Sequence, residues 1–183
     1  MAVRIYLSRD ASAQALGADE TAAALQVAAA AKGTSITLTR VGSRGMVWLE
    51  PLVEVEDASG QRIAYGPVTA GDVPGLVQAG LFDTASHPLR LGRVEDMPWF
   101  AKQQRLTFAR VGVIDPVSVD DYVAHGGFAG LKRALGMSGA EIVQEVLESG
   151  LRGRGGAAFP TGIKWRTVLE QHSLQKYVVC NAD

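Results

Sequence analysis

Thiols are nearly absent from this chain. Cys180 is the only cysteine among 183 residues, so no internal disulfide framework exists, and neither an iron-sulfur cluster nor a zinc site can be built from the chain's own thiols alone. Net charge is nearly absent too: 18 Lys and Arg against 19 Asp and Glu leave −1. No global basic field draws the chain to nucleic acid or to an anionic membrane, and any cationic function has to be local. The three histidines, His87, His125 and His172, have no histidine partner at i+4 and share no motif; they read as packed or surface groups. No stretch approaches eighteen uninterrupted apolar residues, and the opening MAVRIYLSRD alternates polar and apolar with no basic and then apolar leader pattern. These absences describe a cytoplasmic, soluble chain without membrane insertion. Its 47% hydrophobic and 20% charged residues are ordinary for a globular fold.

The pattern divides the chain into an amino-terminal domain over 1–81, a linker over 82–116 and a second unit over 117–183. VRIYL (3–7) alternates as a strand. An alanine-rich run from Asp19 to Lys32 predicts a helix, with Gly33 at its carboxyl-terminal cap. Three more strands are predicted over 34–39, 49–56 and 61–65, then a short helix within 69–80 with Asp72 as N-cap. The order β-α-β-β-β-α fits a small α/β sandwich. Glu54, Glu56 and Asp57 alternate at a strand end and read as a solvated face. The proline-punctuated stretch 82–116 reads as a linker anchored by Trp99 and Phe100, with Leu106, Phe108 and Val111 as one possible strand. Beyond it, Ser118 or Asp120 caps a helix, Phe128, Leu131 and Leu135 recur at helical spacing, and Ser138 with Glu141 forms a capping box before a helix that Gly150 ends. Tyr177 to Cys180 reads as a buried strand with an inert thiol, and Trp48, Trp99 and Trp165 as anchors of packing or interfaces.

SGLRGRGGAAFPTGIKW (149–165) holds five glycines, three cationic side chains and a proline. Glycine lets backbone N–H groups approach an anion without interference from Cβ, and successive N–H groups in turns form a positive concavity that suits a phosphate. Arg152, Arg154 and Lys164 add charge, and a flat ring can lie on bare backbone. The loop is not a phosphate-binding GxxxxGK[ST], because Trp165 follows the lysine. Nor is it the dinucleotide GxGxxG in its usual context, because Gly153 and Gly155 follow a helix rather than a strand. A flexible basic surface loop is the bland alternative; Pro160 and Trp165 argue against it.

The run DYVAHGGFAGLKRALGMSGAEIVQEVLESGLRGRGGAAFPTGIKW, followed by KYVVCNAD, resembles the start of the flavoprotein subunit of respiratory NADH dehydrogenase and its relatives. These relatives include the diaphorase subunits of NAD-dependent formate dehydrogenases and of NAD-reducing hydrogenases. The resemblance covers residues 105–183. It implies an α/β FMN- and NADH-binding domain, of which 117–183 is the start, and assigns Gly153, Arg154, Gly155, Gly156 and Ala157 to the cofactor cradle. By the same resemblance Phe159 stacks near the nicotinamide or adenine, Lys164 contacts the flavin phosphate or ring edge, and Asn181 and Asp183 hydrogen-bond flavin groups. It assigns no catalytic residue and no metal ligand in this chain. Ala158 stands where the family usually has glycine, which bears on the Phe159 assignment. The related subunits continue with a further flavin-domain segment and cysteines for a 4Fe-4S cluster, so the sequence is expected to be an amino-terminal fragment, inactive alone.

The strand order of the first eighty residues resembles a thioredoxin-like two-iron ferredoxin domain whose Cys-x-Gly-x-Cys segment ligates iron. Ser43 and Val47 occupy those cysteine positions in SRGMVWLEP, so no 2Fe-2S cluster is expected in 1–81. Such a cysteine-free domain resembles the diaphorase subunit of soluble molybdenum-dependent formate dehydrogenases. The resemblance implies hydride exchange between FMN and NAD, with a molybdenum and iron-sulfur catalytic subunit and a small 2Fe-2S subunit as partners. The alternatives are a flavoprotein subunit of a respiratory NADH dehydrogenase or an NAD-reducing hydrogenase, and a non-catalytic docking module.

Overall fold

A computed structural model describes residues 2–181 and divides them into two compact units, with the boundary between Gly126 and Gly127. The first is mixed α/β. Its strands are β1 (Val3–Ser8), β2 (Ile36–Val41), β3 (Val53–Glu56), β4 (Arg62–Tyr65) and β5 (Arg90–Arg93), in the sheet order β2-β1-β3-β4-β5. β1 and β2 are parallel, and the remaining pairs are antiparallel. The parallel pair needs a crossover, which α1 (Ala11–Ala15) and α2 (Ala18–Ala31) supply. Gly17, at φ 91°, breaks the two helices apart, and Gly33, at φ 65°, follows the end of α2 as its position predicts.

Alternation decides which residues meet the helices. Ile5, Leu7, Val53, Val55, Ile63 and Tyr65 project from one face of the sheet and pack on Leu25 of α2 and on Leu76 of α3 (Val73–Gln78). The opposite face carries Tyr6, Glu54, Arg62 and Ala64. It is covered as well: Ala64 joins Met46, Leu52, Val94 and Phe100 in a second buried cluster. That cover comes from the loop after β2 and from the stretch read as linker, which also supplies β5 and the short α4 (Pro98–Ala101); α5 (Val119–Ala124) follows it. Phe100 is the anchor expected. Leu106, Phe108 and Val111 form turns instead of a strand, and the first two are exposed.

The carboxylates therefore need correcting. Glu54 is buried, with its side chain only 3% exposed, because the second sheet face is roofed and not wet. It accepts from Arg44 Nε at 2.5 Å and Nη2 at 2.8 Å, and Arg62 Nη1 lies 3.4 Å away. Glu56 pairs with Arg4 and accepts from Tyr6 Oη at 3.0 Å. Only Asp57 plays a surface role, closing the β3–β4 turn by accepting from Ser59 and Gln61 amides. Asp72 precedes α3 but does not cap it with its side chain; its carboxylate turns back to Thr69, accepting from both N and Oγ1.

The second unit contains α6 (Ala129–Ala134), α7 (Gly139–Glu148) and α8 (Thr161–Leu169). The capping box is present: Ser138 Oγ accepts from Glu141 N, and Glu141 accepts from Ser138 N at 2.7 Å. Val143 is the one large apolar side chain buried in this unit among the described residues. The buried strand expected over 177–180 is not formed. Tyr177, Val178 and Val179 are at least 80% exposed, and Cys180 is an exposed thiol. The physical reason is that the described residues of this unit supply no sheet edge, and an apolar run cannot pair its backbone alone.

Candidate functional site

The glycine loop connects two helices that run against each other. Near one end of the pair Gly139 of α7 faces Leu169 of α8; near the other, Gly162 of α8 sits against Leu147 of α7. A Cβ on Gly162 would stand 2.6 Å from Leu147 Cγ and 2.7 Å from its backbone N and Cα. Only a residue without a side chain permits that approach, so Gly162 sets the crossing of the two helices and hence the span the loop must bridge. The sequence signal for it was a glycine inside a helix, where it costs about 1 kcal/mol relative to alanine unless packing demands it.

Gly150, at φ 65°, ends α7 and turns the chain into a narrow hairpin. Arg152 and Pro160 form an antiparallel bridge, Gly153 N donates to Phe159 O at 2.9 Å, and Thr161 N donates to Leu151 O at 2.9 Å. Two of the three cations are engaged within this hairpin. Arg152 Nη1 donates to Ala158 O at 3.0 Å, and Arg154 Nη1 to Arg152 O at 2.6 Å. Lys164, one turn into α8, has neither a hydrogen bond nor an ion pair among the described residues. Its Nζ lies 5.6 Å from the centre of the Phe159 ring and would be 4.0 Å from a Cβ on Gly153.

The tip is open: no heavy atom lies within 4 Å of where a Cβ would stand on Gly155 or Gly156, and Gly156 has φ 111°. The loop therefore presents bare, solvent-facing backbone, and beside it an ammonium that rests near the Phe159 ring with no hydrogen bond or ion pair among the described residues. A planar anionic cofactor fits this arrangement chemically, through backbone N–H groups, one cation without an ion pair among the described residues, and ring contact. Ala158 adopts φ 50°, a left-handed angle that suits glycine and costs an alanine about 1 kcal/mol.

The structure brings Gly153, Arg154, Gly155, Gly156, Ala157, Phe159 and Lys164 together in this hairpin and the first turn of α8. Asn181 lies outside it, in an exposed segment without regular structure, and Asp183 lies outside the described residues. No group of three His, Cys, Asp or Glu suited to a metal occurs among the described residues, and no helix there is long and apolar enough to cross a membrane. In the first unit, Ser43 Oγ donates to Glu50 at 2.9 Å, and Val47 is half exposed in a turn of 3₁₀ helix.

Residues 146–183, which begin in α7 and include the hairpin, match the family Complex1_51K, described as the Nuo51 FMN-binding domain. Over 82 residues the chain is 56% identical to the HndC subunit of the NADP-reducing hydrogenase of Solidesulfovibrio fructosivorans, and over 66 residues 50% identical to a subunit of the NADH-quinone oxidoreductase of Aquifex aeolicus. These stretches are 45% and 36% of this chain but only 17% and 15% of those relatives. Over 53 residues it is 47% identical to the alpha subunit of the NAD-reducing hydrogenase HoxS of Cupriavidus necator, covering 29% of this chain and 9% of that one. Among solved structures, a thioredoxin-like [2Fe-2S] ferredoxin from Aquifex aeolicus aligns with a TM-score of 0.41 at 17% identity, over 50% of this chain and 97% of that one.

Proposed function

We propose that this chain belongs to a flavoprotein subunit that exchanges electrons between NAD(H) and iron-sulfur carriers, and that the 150–164 hairpin is part of its FMN and nicotinamide-nucleotide site. The observation that carries the reading is the open glycine tip beside Lys164, which has no ion pair among the described residues, in a segment matching an FMN-binding family. FMN, when bound, takes up two electrons as a hydride and releases them singly. The residues of this chain supply binding and orientation. Gly155 and Gly156 present open backbone that leaves room for a ring, Gly153, whose N–H is held by Phe159 O, closes the hairpin beneath them, Ala157 continues that backbone, Phe159 offers an aromatic face, and Lys164 brings a positive charge to a phosphate or ring edge. Arg154, bonded to Arg152 O, contributes its backbone to the same cradle beside the tip. Asn181 and Asp183 are proposed as flavin hydrogen-bond partners on the resemblance alone.

The electron donor is a finer proposal. Formate, through a molybdenum and iron-sulfur subunit with a small 2Fe-2S subunit, is favoured by an amino-terminal domain with Ser43 and Val47 at the cluster positions. A second reading, a hydrogenase or quinone-linked NADH dehydrogenase, is favoured by the names of the relatives above. A 4Fe-4S cluster belongs to the same proposal and is placed outside these residues.

The test is visible absorbance of the protein expressed from its gene, beside residues 1–183, with NADH added. Flavin that bleaches with NADH supports the reading. Lys164→Ala should then weaken FMN retention by about 10- to 100-fold, the range for losing one charge-assisted bond. A colourless protein that still joins a complex overturns it and leaves a docking module. Supplying formate, hydrogen or a quinol as sole reductant to the purified complex separates the donor readings.

A further inference from the structure

Away from the glycine hairpin, the first unit carries a surface that its own residues leave unpartnered. The loop after β2 and the segment around α4 form two adjoining clefts of about 700 and 630 Å³. Trp99 and Gln103 line both, so the two are one continuous groove. One end is apolar, walled by Met46, Leu49, Met97 and Pro98. Trp48 and Trp99 stand over it edge to face, their ring centres 5.3 Å apart, yet they remain 58% and 46% exposed. A packed anchor would be covered; these two are not.

The other end is cationic. Arg105 lies on the Phe100 ring with its guanidinium carbon 4.5 Å from the ring centre, and Arg44 approaches the same ring at 5.4 Å. Arg44 is neutralised by Glu54. Among the described residues Arg105 has no carboxylate within 4.0 Å; Glu54 and Glu95 act on it only from farther off, while burial and the Arg44 charge pull its pKa down. Lys102, on the rim of the apolar end, has no ion pair among those residues either. Asp10, the only acidic residue lining the groove among the described residues, already accepts from Ser43 N. The groove thus combines two half-exposed tryptophans with two cations that have no ion-pair partner within 4.0 Å among the described residues.

We propose that this groove docks a segment of a partner protein that presents a bulky apolar side chain flanked by carboxylates. Charge complementarity selects the acidic flank, since Lys102 and Arg105 are the unsatisfied charges. The half-exposed walls of the groove favour an extended or helical segment over a small molecule, which would be enclosed over most of its surface. Exposed Trp and Arg side the groove, and these residue types dominate binding energy at protein interfaces. This inference is independent of flavin binding, because it involves only the first unit.

The test pans random dodecapeptides displayed on phage against the full chain, with counter-selection on Trp99→Ala, and measures the enriched peptide, fluorescein-labelled, by polarisation. The expected result is enrichment of peptides with a large apolar residue beside two or more Asp or Glu. Trp99→Ala should then weaken binding by about 30-fold, the loss typical of an interface hot spot. Arg105→Glu should reject that peptide and accept its lysine-substituted counterpart. If Trp99→Ala melts unlike the wild type, the exposed Lys102→Glu serves in its place and should weaken the acidic peptide in a salt-sensitive manner. Enrichment that ignores Trp99, enrichment of basic peptides, or no enrichment overturns the proposal. So does quenching of tryptophan fluorescence by ADP that is lost in Arg105→Ala without peptide binding, which would make the groove a nucleotide site.

Discussion

Replacing Glu54 by Gln should destabilise the first unit by about 3 kcal/mol, the lower end of the range for breaking a buried ion pair by removing one partner. The structure sets that end of the range. The Arg44 and Glu54 side chains are only 4% and 3% exposed, so water cannot re-solvate the orphaned guanidinium. The glutamine oxygen still accepts one of the two bonds Arg44 now makes, which limits the loss. Arg62 suffers less, because it also donates to Gly112 O and to Val113 O at 3.1 Å and lies over the Tyr6 ring at 3.3 Å. For a unit of this size about 3 kcal/mol corresponds to a fall in Tm of roughly 10 °C. A Trp165→Phe background leaves Trp48 and Trp99, both in the first unit, as the fluorescence reporters of the melt. Replacing the pair together, Arg44→Met with Glu54→Leu, should recover most of the loss, because the desolvation cost of both charges disappears with them. A single Glu54→Gln melt indistinguishable from wild type would refute the account of a sealed, mutually dependent pair.

Three further outcomes follow from individual contacts. Gly162→Ala should separate α7 from α8 and cost about 2 kcal/mol or more through overpacking against backbone, read as faster amide exchange in both helices. Ala158→Gly should leave the hairpin unchanged or stabilise it by up to about 1 kcal/mol, relief of the left-handed angle being partly offset by glycine's unfolded-state entropy; clear destabilisation on chemical denaturation would contradict the φ of 50°. Glu50 is buried, and that burial raises its pKa above the ordinary 4.5, against the opposing bonds from Leu52 N and Ser43 Oγ. A raised folded-state value means that its stabilising contribution is complete below 4.5 and is lost as pH rises through the raised value. Glu50→Gln should therefore be more stable than wild type at neutral pH and lose that advantage at pH 4 in paired urea melts.

The amino-terminal strands were legible because their alternation is regular. Ile5, Leu7, Val53, Val55, Ile63 and Tyr65 all fall on the helix-covered face as period two requires. The same rule misread Glu54, since it assumes that the opposite face is solvent. What covers that face comes from the loop after β2 and from residues 94–113, short turns and single helical turns with no period to announce that they return to the sheet. In the second unit, local signals such as the capping box at Ser138 and Glu141 and the terminal Gly150 were readable from spacing alone. Tyr177 to Cys180 was not, because strand formation depends on a pairing edge that a composition of Tyr, Val and Cys does not reveal.

Counting cations by sequence also differs from counting them by partner. The glycine loop advertises Arg152, Arg154 and Lys164 as equals, but the first two are bonded to carbonyls of their own hairpin. The groove repeats the contrast: Arg44 is held by Glu54, whereas Arg105 and Lys102 have no carboxylate within 4.0 Å among the described residues. A cation already satisfied by its fold has little charge left to offer a ligand, whereas one without a counter-ion gains when an anion arrives. Arg152→Gln should accordingly loosen the hairpin and show as faster exchange of the Gly153 amide. Lys164→Gln should leave that amide's exchange unchanged while weakening retention of an anionic cofactor. The reverse pattern, a loose hairpin from the lysine change and weaker binding alone from the arginine change, would show that the carbonyl bonds do not hold these arginines and that the charge available for binding lies with them.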